Sequence, residues 1–154
     1  MQTAKQLSVS LINKPGRLAA MLTALSKDKV NFRALSVMDS GDRGTVRFVP
    51  SPEQFAAATE VLDRLNVRYE ATDVLLVEVP NQPGAFRKIC ERLAADHLNI
   101  DYAYASFAEH GAKGGGLAVF KVNNLLKAQK VLGENGAPVS RKKLPMRRPP
   151  MRAR

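Results

Sequence analysis

The chain has 154 residues, of which 45% are hydrophobic and 25% charged, a composition that excludes a disordered chain and suits one or two small globular domains. Its formal net charge is +10, but seven of the 24 basic residues fall within residues 140–154, which contain no acid. The rest of the chain carries 17 basic and 14 acidic residues. The basicity therefore belongs mainly to a C-terminal tail.

Cysteine, histidine and apolar content exclude several further classes. Cys90 is the only cysteine, so neither a disulfide framework nor a multi-thiolate zinc site is possible within one chain. His97 and His110 have no obvious partner at metal-ligand spacing, and we predict no metal and no cofactor. No apolar run approaches the roughly 20 residues that cross a bilayer, and the N-terminus lacks the apolar stretch of a signal peptide. We expect a soluble, cytoplasmic protein.

The chain contains an internal repeat, which predicts its domain organisation. The segment LSVSLINKPGRLAAML, from Leu7, aligns with LLVEVPNQPGAFRKIC, from Leu75, and residues 30–32 (VNF) align with residues 98–100 (LNI). We therefore expect two copies of one unit, module 1 at residues 5–72 and module 2 at residues 73–142. Residues 143–154 form the tail.

Periodicity predicts the elements of module 1 in chain order. Residues 7–11 alternate between apolar and polar side chains, as in a strand, and an apolar face at helical spacing follows Pro15-Gly16. Pro15 is expected in the first helical turn, where its missing N–H costs nothing. Strands are predicted at residues 30–38 and 45–49. Ser51-Pro52-Glu53-Gln54 predicts a capping box that opens a second helix, and residues 67–71 form a fourth strand.

Module 2 repeats this order. Strands are predicted at residues 75–79, 99–107 and 117–122 and weakly near Val139, with helices around Phe86–Leu93 and residues 125–132. The fold class is α+β, with two ferredoxin-like βαββαβ modules, antiparallel sheets and a basic disordered C-terminal tail. Because the join at Thr72-Asp73 contains no Gly, Pro or Ser, we expect the modules to pack together with little independent motion.

The two N-x-P-G loops resemble a known family. A strand that ends in Asn-Lys-Pro-Gly or Asn-Gln-Pro-Gly, then a helix, then an asparagine at the start of the second strand, is similar to the ACT domain, and both repeats carry this pattern in register. The resemblance implies a regulatory module that binds amino acids at interfaces between paired domains. It also implies that Asn13 and Asn31, and likewise Asn81 and Asn99, contact the ligand.

The chemistry of these loops suits an amino acid. A helix N-terminus presents unpaired N–H groups to a carboxylate, and Gly16 and Gly84 let a ligand approach the main chain closely. Leu11 and Val79 stand where some family members have a polar ligand-contacting residue, which favours an effector with an apolar side chain. An alternative is that the loops are ordinary turns. The predicted ligand-binding residues are Asn13, Pro15, Gly16, Arg17, Leu18, Asn31, Asn81, Pro83, Gly84, Ala85, Phe86 and Asn99.

Other functional readings are weaker. RNA-recognition motifs share the element order, but Thr45 and Arg47 occupy the positions where such motifs stack bases on aromatic rings. The glycine-rich residues 110–116 lie between strands and predict a hairpin rather than a phosphate loop. Cys90 is expected in a core, whereas Tyr102 and Tyr104 share a strand face that lines either a ligand cleft or a domain interface.

The sequence thus predicts a stand-alone tandem ACT protein without enzymatic activity. The hypothesis is that a small amino acid binds at one or both loops, bridges two modules within the chain or across a homodimer, and changes a surface that a partner protein recognises. The alternative is an interaction module whose basic tail binds protein or nucleic acid while the loops stay empty. No membrane partner is expected.

Overall fold

The computed structural model describes residues 1–107 and 115–133. Six strands are present, β1 (Gln2–Ile12), β2 (Phe32–Ser40), β3 (Arg43–Pro50), β4 (Arg68–Val79), β5 (Ile100–Ser106) and β6 (Gly116–Val122). The α-helices are α1 (Arg17–Lys27), α2 (Phe55–Arg64), α3 (Ala85–Ala95) and α4 (Leu125–Gly133). The mixed α/β architecture with antiparallel strands confirms the predicted fold class. The strand expected near Val139, most of the glycine-rich hairpin and the tail lie outside the described residues.

All six strands form one antiparallel sheet in the order β2-β3-β1-β4-β6-β5. The order β2-β3-β1-β4 is that of a ferredoxin-like module, and β4-β6-β5 begins a second one. β4 is continuous over 12 residues, so the two strands predicted at residues 67–71 and 75–79 are halves of one strand. The expected boundary at Thr72-Asp73 falls inside this strand, which belongs to both modules.

The N-terminal end of β1 also serves both modules. Residues 7–10 of β1 pair with the module 1 half of β4, whereas Thr3 pairs with Leu75 and Lys5 with Asp73 in the module 2 half. Lys5 and Asp73 also form an exposed ion pair of 2.9 Å. In module 1, the fourth strand, β4, pairs with the first strand, β1. In module 2, whose first strand is the second half of β4, the start of β1 takes that place.

All four helices cover the same face of the sheet, over two cores. Odd-numbered residues of β1 and β4 point toward the helices, because their register places Leu7 opposite Ala71 and Thr3 opposite Leu75. Core 1 packs α1 and α2 on β1 and β3 around Phe48, and core 2 packs α3 and α4 on β4 and β6 around Phe120. Phe48 contacts Phe32 at a centroid distance of 5.0 Å, and Phe120 stacks on Phe86 at 5.3 Å.

Three helices end in the same way. Lys29, Asn66 and His97 have φ values of 58°, 53° and 56°, and the next residue's N–H bonds back to Leu25, Leu62 and Leu93, respectively. This is the Schellman motif, in which the residue with positive φ is usually glycine. Lys29 and His97 are equivalent positions of the repeat, so His97 has a structural place at a helix end.

The start of α2 differs from the prediction. Pro52–Gln54 form a 3₁₀ turn and α2 begins at Phe55, while Ser51 makes no side-chain cap bond. The Gln54 side chain instead accepts from the Asn31 N–H at 2.8 Å and donates to the Lys29 carbonyl at 2.5 Å. The capping box was wrong because this glutamine joins β2 to the second helix rather than closing its own helix end.

The helix-free face of the sheet is concave. Arg47 of β3 lies 4.0 Å from the ring centroid of Tyr102 of β5, although four strand spacings, about 19 Å in a flat sheet, separate these strands. The two edge strands, β2 and β5, line a common cleft of about 270 Å³, so the sheet curves until its edges face each other. Inside the curve, Val49, Val74, Leu76 and Val119 form a third apolar cluster.

Candidate functional site

Both N-x-P-G loops form the same turn before a helix. Arg17 N–H donates to the Lys14 carbonyl at 3.3 Å, and Ala85 N–H donates to the Gln82 carbonyl at 3.2 Å. Gly16 has φ 85° and ψ −12°, and Gly84 has φ 83° and ψ −3°, which are the values of the third position in a type II turn. Pro15 and Pro83 therefore stand at the second turn position, just before the helix rather than in its first turn.

The helices that follow these turns begin without a side-chain cap. α1 starts at Arg17 and α3 at Ala85, and neither has a capping bond from the glycine that precedes it. No acidic residue stands in the first turn of either helix. Because the Arg17 and Ala85 N–H groups close the turns, it is the next N–H groups of each helix and the positive end of its dipole that remain available to an anionic group.

The loop asparagine of module 1 has a structural partner. Asn13 Nδ2 donates to Asp39 Oδ1 and to the Gly41 carbonyl, both at 3.2 Å, and the Asn13 N–H donates to the Asp42 carbonyl at 2.9 Å. Asn13 therefore ties the loop to the β2–β3 hairpin. Asn81 is exposed after the end of β4 and is also bonded.

The structure does not bring the two asparagines of one module together. Asn13 lies beside the hairpin that ends β2, whereas Asn31 precedes the first residue of the same nine-residue strand. At about 3.3 Å per residue, the two are roughly 30 Å apart. In module 2, Asn99 precedes β5 and donates through Nδ2 to Asp101 at 3.1 Å, while Asn81 lies toward the opposite end of that strand.

A cleft of about 530 Å³ opens beside the module 1 loop. Its polar wall contains three arginines, Arg17 at the start of α1, Arg43 in β3 and Arg68 in β4. Arg43 Nε is held by Ser10 Oγ at 2.8 Å. The apolar wall includes Leu11, Ala20, Met21, Leu65 and Val67. Such a cleft can take a molecule with an anionic group at one end and an apolar group at the other.

The equivalent positions of module 2 are arranged differently. Ala85, the counterpart of Arg17, packs with Phe86 against core 2, as Leu18 packs against core 1. Arg87 lies near Gly84 and forms an ion pair of 2.6 Å with Glu91 on the same helix. Of the predicted site residues, Arg17 thus lines the module 1 cleft, whereas its counterpart Ala85 packs against core 2.

Comparison with known proteins identifies the family of the chain. The ACT domain pair family matches residues 2–144. The chain belongs to this family. It is similar in structure to protein BT0572 from Bacteroides thetaiotaomicron, with 32% identity and a TM-score of 0.76 over 86% of this chain and 88% of that one. No curated protein matches it.

Regulatory subunits of aspartate kinase share the ACT pair fold. The ligand-free subunit from Thermus thermophilus has a TM-score of 0.61 at 13% identity, covering 87% of this chain and 97% of that one. The subunit from Thermus flavus has a TM-score of 0.57 at 14% identity, covering 87% and 96%. ACT domains are regulatory modules, so the chain is a regulatory ACT pair.

Sequence reasoning missed a polar cluster on the concave face of the ACT pair. Gln6 is fully buried, and its Nε2 donates to Tyr102 Oη at 2.6 Å while its Oε1 accepts from Tyr104 Oη at 2.8 Å. Burial raises the pKa of Tyr104 well above the usual tyrosine value. A glutamine among alternating apolar residues at the start of β1 was the available signal, but its partners lie almost 100 positions away.

Remaining candidates carry no site within the described residues. Cys90 packs against core 2, and partial burial raises the pKa of its thiol, as suits a core position. No group of three potential metal ligands occurs in residues 1–107 and 115–133. Within the same ranges, no helix has both the length and the apolar character needed to cross a bilayer.

Proposed function

We propose that this ACT pair is an amino-acid sensor and that the module 1 loop forms its principal site. The carrying observation is the cleft beside this loop, where Arg17, Arg43 and Arg68 lie next to the uncapped start of α1. The arginines and the N–H groups that follow Arg17 at the start of α1 would bind the effector carboxylate. The apolar wall favours an aliphatic effector side chain, in line with Leu11 at that wall.

One effector can contact a loop asparagine and a strand asparagine only between modules. Asn13 and Asn31 lie at opposite ends of β2, so a bridging effector needs a second module that runs antiparallel to the first. Within the chain, the start of β2 faces the end of β5 across the cleft they share. This arrangement supports a site between modules, with Asn31 directed toward the Asn81 end of module 2.

The need for a second, antiparallel module at the site also supports a homodimer. β2 is an edge strand, and Leu35, Val37 and Met38 are 42%, 53% and 53% exposed. Antiparallel pairing of two β2 edges about a two-fold axis would cover these side chains and place the loop of one chain near Asn31 of its partner. Effector binding would then favour one pairing and alter a surface for a partner protein.

A thermal-shift screen against the twenty amino acids tests the sensor. An effector at 100 times its Kd adds about 2.7 kcal/mol of stability. The variant Arg17→Gln should lose most of the shift, because it removes a charge from the cleft and copies the uncharged position of module 2. Lys27→Gln is the matched control at the other end of α1, and its shift should equal that of the wild type.

Two results would contradict the proposal. If no amino acid stabilises the protein, the loops act only as turns. If Arg17→Gln leaves the thermal shift unchanged, the effector binds at another place than the module 1 cleft.

Val37→Glu tests the dimer separately by sedimentation, with Leu126→Glu, 72% exposed on α4, as control. We expect Val37→Glu alone to yield monomers.

The basic tail supports a second candidate function. Residues 140–154 carry seven positive charges without an acid, which suits an acidic partner or a phosphate backbone. Deleting residues 140–154 should abolish any salt-sensitive association with a short duplex DNA and leave the amino-acid response intact. Loss of both responses in this variant would contradict separate roles.

A further inference from the structure

The concave face has a polar half that meets the module 1 cleft at Ser10 and Arg68. There, a cleft of about 630 Å³ lies between strands of both modules, a size typical of small-molecule sites. Its walls include Arg47, Arg68, Glu70, Asp101, Tyr102 and Lys121. Thr45 and Arg47 of β3, at the positions where RNA-recognition motifs carry aromatic rings, both line this cleft.

The cleft carries an excess of unpaired positive charge. Lys121 Nζ lies 3.3 Å from Asp101 Oδ2, so this pair is internally neutral. Within residues 1–107 and 115–133, no ion pair is formed by Arg47, Arg68 or Glu70. In this cleft, two guanidinium groups therefore stand against one carboxylate. An anion is the ligand that this balance favours.

Arg47 lacks a strong acceptor. Its guanidinium stacks on Tyr102, and its Nη1 donates to the sulfur of Met38 at 3.2 Å, a weak acceptor. Its buried Nε has no hydrogen-bond partner among the described residues. A half-buried guanidinium held by a ring and a thioether has bonding capacity left for a ligand.

Tyr102 is itself fixed in place. Gln6 Nε2 donates to Tyr102 Oη at 2.6 Å, and Gln6 is bonded in turn by Tyr104 and fully buried. A buried polar network with both ends of the amide satisfied holds one orientation. The network therefore positions the Tyr102 ring, and the ring positions the Arg47 guanidinium before any ligand arrives.

We propose that this cleft is a second binding site, which takes a small carboxylate-bearing anion. Arg47 and Arg68 bind the carboxylate groups, because a planar guanidinium matches a carboxylate in shape and charge. Glu70 and Asp101 in the walls disfavour highly charged phosphates. The site lies on the face away from the helices, where Arg47 lines this cleft and Arg68 borders both this cleft and the module 1 cleft.

The test is a titration of the full chain with succinate at constant ionic strength. The chain has three tyrosines and no tryptophan, so tyrosine emission, to which Tyr102 contributes, can be followed without tryptophan background. We expect a saturable change with succinate and only a weak, non-saturating one with chloride or inorganic phosphate. The Arg47→Met variant, which keeps the length and apolar contact of the side chain, should weaken succinate binding at least 10-fold.

A control variant separates the loss of a site residue from the loss of a surface charge. Arg64→Met removes an exposed charge on the helix side and should leave succinate affinity unchanged. Arg47→Lys keeps the charge without the planar group and should bind succinate several-fold more weakly, which covers the case in which Arg47→Met does not fold. An absent succinate response, a saturable response to phosphate, or wild-type affinity in folded Arg47 variants would overturn the proposal.

Discussion

The two loops of this ACT pair have the same backbone and different surroundings. Gly16 and Gly84 have φ values within 2° of each other, and both precede uncapped helices. Around module 1, however, three arginines border a cleft, whereas in module 2 the counterpart of Arg17 is Ala85, which packs against a core. The repeat therefore preserves the turn, while side chains from β3 and β4 decide whether the turn adjoins a charged site.

The largest effect on stability is expected from substitutions in the two cores, which test whether the modules unfold together. Phe48→Ala and Phe120→Ala each empty a fully buried site, and we expect each to cost about 3–5 kcal/mol of unfolding free energy. Because β4 belongs to both modules, urea denaturation followed by circular dichroism should show one transition in either variant. Two separated transitions would mean that the modules unfold independently.

The buried glutamine gives the next largest effect. Tyr104→Phe removes a donor from Gln6 Oε1 and should cost about 1–3 kcal/mol. Because the folded state raises the pKa of Tyr104, it binds this proton more tightly than the unfolded state does. The wild type should therefore keep this stability below the ordinary tyrosine pKa of about 10 and lose it as the pH rises further.

Stability measured between pH 8 and pH 11 checks this dependence. Tyr104→Phe should flatten the decline above pH 10. Tyr69→Phe in module 1 should flatten the decline less, because the pKa of Tyr69 is raised mainly by its hydrogen bond to Asp63 at the surface. A decline of equal steepness in wild type and Tyr104→Phe would argue against the buried phenol as its source.

The equivalence of the turns can be tested at their glycines. Gly16→Ala and Gly84→Ala force a side chain into the left-handed region, at an expected cost of roughly 1–2 kcal/mol each. A Cβ at Gly16 meets no atom within 4 Å, and one at Gly84 meets only the flexible end of Arg87. Thermal denaturation should thus give similar losses, and a large difference would refute the shared geometry.

The smallest expected effect is a gain in stability. Lys29 and His97 end α1 and α3 at positive φ, where glycine carries no steric cost. Lys29→Gly and His97→Gly should each raise the unfolding free energy by about 0.5–1 kcal/mol. Asn66→Gly, at the end of α2, should gain less, because asparagine tolerates this conformation better than lysine or histidine does.

Local and repeated features of the fold could be predicted from the sequence, whereas features made by distant residues could not. The offset between Leu7 and Leu75 predicted both modules, and the absence of turn residues at Thr72-Asp73 predicted modules that pack together, but not that one strand runs through the join. The Gln54 capping box failed because the glutamine found partners in another element. The arginines of the module 1 cleft come from three separate elements, and the Gln6 network depends on sheet curvature, neither of which the alternation of apolar residues encodes.

Because β4 belongs to both modules, the number of residues at the join decides which face of the sheet each later side chain of β4 takes. Tyr69 and Leu75 face the helices from the two halves of β4, while Val74 and Leu76 face the concave side. One residue inserted after Thr72 would turn every later side chain of β4 to the opposite face and bring Val74 under the helices in place of Leu75. Two inserted residues would restore the faces but displace module 2 along β1 by about 6.6 Å. Evolution can therefore change the residues at this join far more readily than their number.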